Sequence, residues 1–280
     1  LAWAAGDMRA RGFLLGGTAG RTTLNGEGLQ HEDGHSHVLS ATIPNCISYD
    51  PTFGYEVAVI VQDGLRRMVA EQEDRYYYLT VMNENYAHPA MPEGAAPDII
   101  KGMYRFREGA KGRKGGPRGQ LLGSGTICRE VIAAADLLKT DWGVDADLWG
   151  CPSFTELARD GNAVARRNML HPGEKSIVSH VEQCLAATEG PVIAATDYIR
   201  AYAEQIRAFV PRRYTVLGTD GFGRSDTREK LRHFFEVDRH WVVLAALKAL
   251  ADEGKMPASK AAEAMKKYGL AADKPAPWTV

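Results

Sequence analysis

An apolar run, Leu121-Leu122-Gly123-Ser124-Gly125, opens a region in which predicted strands and helices alternate. After it, apolar residues at helical spacing predict a helix from Arg129 to Lys139. Further strands are predicted near residues 147–149, over 191–196 and over 214–218, with helices near 157–158 and over 198–209. Strands that alternate with helices are typical of a parallel sheet with helices on both faces. Residues 120–280 are therefore predicted to form a doubly wound α/β domain, which two amphipathic helices near 242–250 and 260–268 complete.

The part of the chain before this region shows a similar alternation. Strands are predicted over residues 13–16, 46–49 and 76–81, and a helix from Tyr55 to Met68. Proline and glycine between residues 89 and 97, and a basic, glycine-rich stretch over 111–119, are typical of exposed loops. We therefore expect one α/β domain over residues 1–95, a linker or exposed loop over 96–119, and a second domain over 120–280.

The composition is that of a globular protein with no electrostatic preference for polyanions. Of the 280 residues, 45% are hydrophobic and 25% are charged, and the formal net charge is -1. We therefore expect neither nucleic acid nor an anionic membrane as a partner. No apolar run approaches the roughly 20 residues that a membrane-spanning helix needs, and no charged leader precedes an apolar signal segment. The expected location is the cytoplasm, and the four separated cysteines, Cys46, Cys128, Cys151 and Cys184, are expected to be reduced and buried.

The densest group of proton-transfer and metal-ligand side chains is the run His31-Glu32-Asp33-Gly34-His35-Ser36-His37. Its first part fits H-E-x-x-H, in which His31 and His35 would bind zinc and Glu32 would activate water. That arrangement requires a helix, whereas glycines such as Gly34 each cost about 1 kcal/mol relative to Ala in a helix interior. A glycine-rich loop that presents several imidazoles is the preferred interpretation, and a zinc metallohydrolase stays an alternative. Another alternative is that some of these histidines only bond backbone groups of the loop.

Similarity to one known enzyme family extends along essentially the whole chain. It is carried by six segments in the same order, Gly20–His37, Ile43–Pro51, Met82–Tyr86, Pro89–Gly94, Ser153–Gly161 and Leu217–Asp226. Together they closely resemble the homodimeric pyruvate dehydrogenase components, thiamine diphosphate enzymes of the transketolase superfamily. The resemblance implies part of a pyrimidine-binding domain over residues 1–95, followed by a transketolase carboxy-terminal-like domain over 120–280.

The resemblance also implies an activity and a set of partners. Such an enzyme decarboxylates pyruvate on thiamine diphosphate with magnesium and is a homodimer. It passes the acetyl group to the lipoyl arm of the dihydrolipoyl acetyltransferase component of a multienzyme complex that follows glycolysis. Imidazoles suit this chemistry, because they donate and accept protons near neutral pH.

Four residues of the histidine run are candidate site residues through this resemblance. His31 matches the family's active-site histidine, while Asp33 and His37 match an Asp-Gly-x-x-His element found in transketolases. We expect His31 and His37 in the substrate pocket and Asp33 orienting an imidazole. His35 is a further candidate without an assigned role.

The segments that bind the cofactor in this family have no counterpart in the sequence. Its members bind the diphosphate and magnesium through a Gly-Asp-Gly…Asn motif and activate the aminopyrimidine with a glutamate. No Gly-Asp-Gly occurs in the chain, which starts at Leu1 without Met, after the expected position of that glutamate. We therefore expect a carboxy-terminal portion of the enzyme that alone neither binds thiamine diphosphate tightly nor turns over pyruvate, with no cofactor-binding or metal-ligating residue assigned. A non-catalytic assembly module stays an alternative.

Overall fold

The described residues form two sheets, and the first contains three parallel strands in the order β1-β3-β2. The computed structural model describes residues 1–17, 19–110 and 116–280. The strands are β1 (Phe13–Gly17), β2 (Cys46–Tyr49) and β3 (Tyr76–Val81). All three predicted strands are confirmed. Strands β2 and β3 are largely buried, and their aromatic and β-branched residues fit a buried pleated surface, whereas β1 is half-exposed.

In the described part of the chain, four helices accompany this sheet. They are α1 (Ala2–Asp7), α2 (Ser36–Ala41), α3 (Gly54–Leu65) and α4 (Ala96–Lys101). Helix α3 confirms the helix predicted from Tyr55, and one turn of π-helix, Arg66–Ala70, extends it. Helix α2 differs from the prediction, because it begins inside the run that was expected to be entirely loop.

The second sheet contains five strands in the order β4-β6-β5-β7-β8. The strands are β4 (Tyr104–Arg107), β5 (Arg118–Gly123), β6 (Asp145–Gly150), β7 (Val192–Ala195) and β8 (Tyr214–Leu217). Strands β5 to β8 pair in parallel, and β4 is antiparallel to β6. The helices of this part are α5 (Ile127–Trp142), α6 (Phe154–Leu170), α7 (His180–Leu185), α8 (Arg200–Glu204), α9 (Arg228–Phe234), α10 (Arg239–Asp252) and α11 (Ser259–Tyr268).

Both faces of the second sheet are covered, as the doubly wound prediction requires. Successive residues of a strand point to opposite faces. Leu121 accordingly packs with α5 and α10 in one core cluster, whereas Leu122 packs with α6 and α8 in the other. The predicted doubly wound α/β domain is confirmed.

The segment predicted to be a linker, residues 96–119, is folded over its first part. It contains α4 and the antiparallel strand β4, so the prediction of an exposed loop there is wrong. The reason is that Tyr104 is buried and its hydroxyl donates to Glu56 Oε1 at 2.6 Å, which ties β4 to α3. Residues 111–115 of the predicted linker lie outside the described residues.

The two sheets are joined by a direct contact between β2 and the start of α6. Ser153 Oγ accepts the Glu156 backbone N–H at 3.0 Å and donates to the Ser48 carbonyl at 2.6 Å. Arg159 of α6 donates to the Cys46 and Ile43 carbonyls at 2.7 and 2.9 Å. The Ser153 side chain therefore both caps α6 and bonds β2 of the first sheet.

All four cysteines are free; Cys46, Cys128 and Cys151 are buried and Cys184 is partly buried. The predicted burial therefore holds for Cys46, Cys128 and Cys151, whereas Cys184 is less buried than expected. Among the helices of the described residues, none combines the length and the apolar character needed to cross a membrane.

Candidate active site

The run His31–His37 is divided between a short turn and a helix. A 3-10 turn spans Leu29–His31, Glu32 follows it, and α2 begins at Ser36. His31 and His35 are exposed, whereas Glu32 is buried. The single helical face that the zinc hypothesis needs is therefore not formed. Within the described part of the chain, no three His, Cys, Asp or Glu side chains are grouped so as to hold a metal ion.

Asp33 anchors the start of α2. Its Oδ1 accepts the backbone N–H groups of His35 and Ser36 at 3.1 and 3.0 Å, and Oδ2 accepts the Ser36 hydroxyl. Side-chain oxygens commonly satisfy the free N–H groups of a helix start in this way. The carboxylate thus orients backbone, which differs from the expectation that it orients an imidazole.

His37 is fully buried between the two domains. Its ring stacks on Tyr202 with centroids 4.7 Å apart, and the Tyr198 ring meets it edge-on at 4.6 Å. Burial lowers the pKa of His37 to about 3, although the charge of Asp33 acts in the opposite direction. Helix α2 turns the His37 side chain into the core, so this ring is not exposed as those of His31 and His35 are, and its place in the substrate pocket stays a prediction.

A hydrogen-bonded network links His37 to the second domain. Thr80 Oγ1 lies 3.0 Å from His37 Nε2 and donates to Asp50 Oδ1 at 2.8 Å. Asp50 Oδ2 accepts the Ser124 hydroxyl at 2.8 Å, and Ser124 Oγ lies 3.0 Å from Thr196 Oγ1. Burial raises the pKa of Asp50 to about 7, while its bonds to Thr80 and Ser124 act to lower it.

A second network lies beside the first. Asp197 accepts the Thr22 hydroxyl at 2.8 Å and the Thr22 backbone N–H at 3.2 Å. Arg232 Nε donates to Thr22 Oγ1 at 3.2 Å, and its other nitrogens bond Glu84, which also accepts Arg129 at 2.6 Å. Burial raises the pKa of Asp197 to about 6, with Arg232 and Thr22 acting to lower it.

Four residues of these networks lie directly after parallel strands. Asp50 follows β2, Ser124 follows β5, and Thr196 and Asp197 follow β7. Polar groups at the carboxyl ends of parallel strands commonly form binding sites. From the sequence, this tendency predicts a polar site at the end of each strand. It does not predict that residues from two different sheets bond each other.

The chemistry of these networks does not fit the diphosphate of the implied cofactor. Asp50 and Asp197 are fully buried, and a diphosphate beside them would add negative charge to a site that already disfavours carboxylates. Each carboxylate oxygen of these two residues also already accepts one of the bonds described above. His31 and His35 are the exposed members of the run.

A large cleft on the second domain borders the second network, because Arg129 and Arg232 are among the residues that line it. Its volume is about 1230 Å³, and it is lined largely by charged residues of α5, α9 and α10. No residue of the histidine run lines it. Many of its charges are already paired, such as Arg239 with Glu130 at 2.8 Å.

Two family models match consecutive parts of the chain. Residues 1–89 match the pyruvate dehydrogenase E1 component middle domain, and residues 102–238 match the transketolase-like C-terminal domain. The second match begins in the segment that holds β4.

Curated relatives match along the whole chain. The pyruvate dehydrogenase E1 component of Cupriavidus necator is 74% identical over 280 residues, which is 100% of this chain and 31% of that protein. The Escherichia coli K12 protein of the same name is 58% identical over 278 residues, or 98% of this chain and 31% of that protein. The chain therefore spans about 31% of the length of these relatives.

Solved structures share the fold at low sequence identity. Transketolase from Campylobacter jejuni aligns with a TM-score of 0.64 and 17% identity, over 88% of this chain and 33% of that chain. A split-gene transketolase, solved as an inactive tetramer of four beta chains, aligns with a TM-score of 0.56 and 17% identity, over 85% of this chain and 67% of that chain.

Proposed function

This chain belongs to the pyruvate dehydrogenase E1 component family, and we propose that it forms part of an enzyme that oxidatively decarboxylates pyruvate. The observation that carries the proposal is the 74% identity to a relative of that name along all 280 residues. The proposed enzyme uses thiamine diphosphate with magnesium and is a cytoplasmic homodimer. It transfers the acetyl group to the lipoyl group of the next component of its complex.

We assign the accessible side chains of the histidine run to the substrate side of this site. His31 and His35 are exposed, so both can meet a substrate that is held by residues outside this chain. An imidazole can supply the proton that a carbonyl needs when it becomes an alcohol. The buried residues Asp50, His37 and Asp197 then support the wall that carries these two histidines.

We further propose that the isolated chain is inactive. It spans about 31% of the length of its relatives and contains no Gly-Asp-Gly sequence. Calorimetry of the purified chain with thiamine diphosphate is expected to show no magnesium-dependent heat of binding. Tight, magnesium-dependent binding would contradict this part of the proposal.

The activity itself is tested in a full-length E1 protein that contains this sequence. We expect pyruvate-dependent acetylation of a lipoyl acceptor, and we expect His31→Ala to slow it about a hundredfold, the scale of a lost proton-transfer group. His171→Ala is the matched control, because His171 is also half-exposed but pairs with Glu174 at 3.1 Å, apart from the candidate site. Equal rates for His31→Ala and the wild-type enzyme would contradict the assignment of His31.

A further inference from the structure

Two loops from different domains lie directly against each other beside the candidate site. We call residues 26–36 the histidine loop and residues 218–226 the β8 loop. The Arg224 backbone N–H donates to Glu32 Oε2 at 2.6 Å. At the other end of the contact, the Gly26 N–H donates to the Asp226 carbonyl at 2.9 Å, and Ser225 Oγ donates to the Gly26 carbonyl at 3.1 Å. Backbone and side-chain groups of both loops therefore share one interface.

Glu32 is the buried member of this contact. The residue is 5% exposed, although its neighbour His31 is exposed. Its Oε1 has no hydrogen-bond partner among the described residues, so the Arg224 N–H is the bond that holds the carboxyl group. Burial raises the pKa of Glu32 to about 7, whereas that N–H and the charge of Arg21 act to lower it. Removing one partner of a buried polar group leaves the other unsatisfied, which is costly.

Gly223 shows how closely the two loops fit. A Cβ atom at this position would lie 2.8 Å from Glu32 Oε2 and 2.8 Å from the Leu29 carbonyl oxygen. Real Cβ atoms do not approach other atoms so closely, so any larger residue must push the loops apart. The absence of a side chain at Gly223 is therefore part of the contact.

We infer that Glu32 is a positioning residue whose carboxyl group ties the histidine loop to the β8 loop and so fixes where His31 and His35 lie. The role of these histidines rests on the proposed function. The contact itself is a property of this chain and can be tested without turnover.

Hydrogen–deuterium exchange of the 280-residue chain, followed by mass spectrometry, measures the contact. Glu32→Ala removes the acceptor of the Arg224 N–H, and Gly223→Ala inserts a methyl group into the interface. Each is expected to raise exchange in both loops about tenfold, the scale of one hydrogen bond lost from a buried contact. Exchange in β5 and β7 is expected to stay at the wild-type rate. Glu32→Gln keeps an acceptor for Arg224 and is expected to retain wild-type protection.

Two matched controls accompany these variants. Glu27→Ala removes an exposed glutamate from the same loop, and Gly173→Ala adds a methyl group where no atom lies within 4 Å. Both are expected to exchange like the wild-type chain. Unchanged exchange of both loops in Glu32→Ala would overturn the inference, and so would a rise of equal size throughout the chain.

Gly223→Ala keeps the inference testable if Glu32→Ala does not fold. Wild-type protection of both loops in Gly223→Ala would by itself overturn the inference. Absence of pyruvate decarboxylation would count against the proposed function only, because the exchange experiment measures no activity.

Discussion

His37 and Asp50 share one hydroxyl group, and burial moves their pKa values in opposite directions. A hydroxyl donates a single hydrogen. When Thr80 donates it to an ionised Asp50, Nε2 of His37 must carry a hydrogen and donate to Thr80. The other ring nitrogen, Nδ1, has no partner among the described residues. Since burial lowers the pKa of His37 to about 3, the ring is neutral and packed at neutral pH.

The low pKa of His37 predicts a loss of stability in acid. A histidine whose pKa falls to about 3 on folding contributes stability above its ordinary pKa of about 6.5, and this contribution is lost as the pH falls between the two values. His37→Phe keeps a ring beside Tyr202 and removes the titrating group. The unfolding free energy is measured by urea denaturation between pH 6.5 and 4.5. Over this range it is expected to decline less steeply for the variant than for the wild-type chain, by up to about 1.4 kcal/mol per pH unit. His171→Phe, at an exposed position, is expected to follow the wild-type curve, and a parallel curve for His37→Phe would contradict the prediction.

The raised pKa of Asp50 predicts that stability is lost as the pH rises, which is the opposite of the effect of His37. Its pKa of about 7 lies above its ordinary value of about 3.9, so its contribution to stability is complete below pH 4 and is lost as the pH rises through 7. Asp50→Asn can accept from Thr80 and donate to Ser124, but it does not ionise. Between pH 5 and 8, the unfolding free energy of this variant is expected to fall less than that of the wild-type chain, by up to about 1.4 kcal/mol per pH unit. The control is Asp136→Asn on the surface; if Asp50→Asn and Asp136→Asn behave alike, the buried carboxyl group does not titrate as described.

Helix α6 illustrates how one cap also joins two domains. Ser153 Oγ caps the helix at Glu156 and bonds the Ser48 carbonyl at the end of β2. Ser153→Ala is expected to lower the unfolding free energy by about 2 kcal/mol, because the cap is lost and a buried carbonyl is left unpaired. Thr227→Ala, which removes the exposed cap of α9, is the matched control and is expected to cost about 1 kcal/mol or less. If Ser153→Ala and Thr227→Ala lower the unfolding free energy equally in a denaturation experiment, the bond to the Ser48 carbonyl contributes nothing to stability.

The elements that the sequence predicts are those with strong local patterns. Strand β3 is recognisable because the run from Tyr76 to Val81 is aromatic and β-branched throughout. Helix α2 is not recognisable, since it has six residues, follows Gly34 and depends on Asp33 to satisfy its first N–H groups. Strand β4 depends on pairing with β6, about 40 residues away, which no local pattern reveals.

At the scale of the whole molecule, family resemblance located the candidate site, but only the tertiary structure shows how it is built. The sequence places His31, His35 and His37 within one short run. It does not indicate that two of them are exposed while the third lies between Tyr198 and Tyr202, because those rings come from the other domain. The same holds for Asp50 and Ser124, which are 74 residues apart and meet only when both sheets have formed.

The open side of the first sheet predicts self-association of the isolated chain. Strand β1 is an edge strand, and Leu14 and Leu15 on it are 49% and 60% exposed. Exposed apolar edge strands readily pair with another chain. Sedimentation velocity is expected to show a sedimentation coefficient that rises with concentration. Leu15→Lys is expected to raise the dissociation constant of this association about tenfold or more. A tenfold change corresponds to about 1.4 kcal/mol, and burying an unpaired ammonium group costs more than that.

A matched control separates the edge strand from general surface hydrophobicity. Met169→Lys changes a 70% exposed apolar residue on α6, away from the sheet edge, and is expected to associate like the wild-type chain. If the wild-type chain sediments as one monomer at every concentration, β1 does not act as an open edge. If Met169→Lys and Leu15→Lys weaken association equally, the attraction comes from dispersed apolar surface, and pairing at β1 is not its cause.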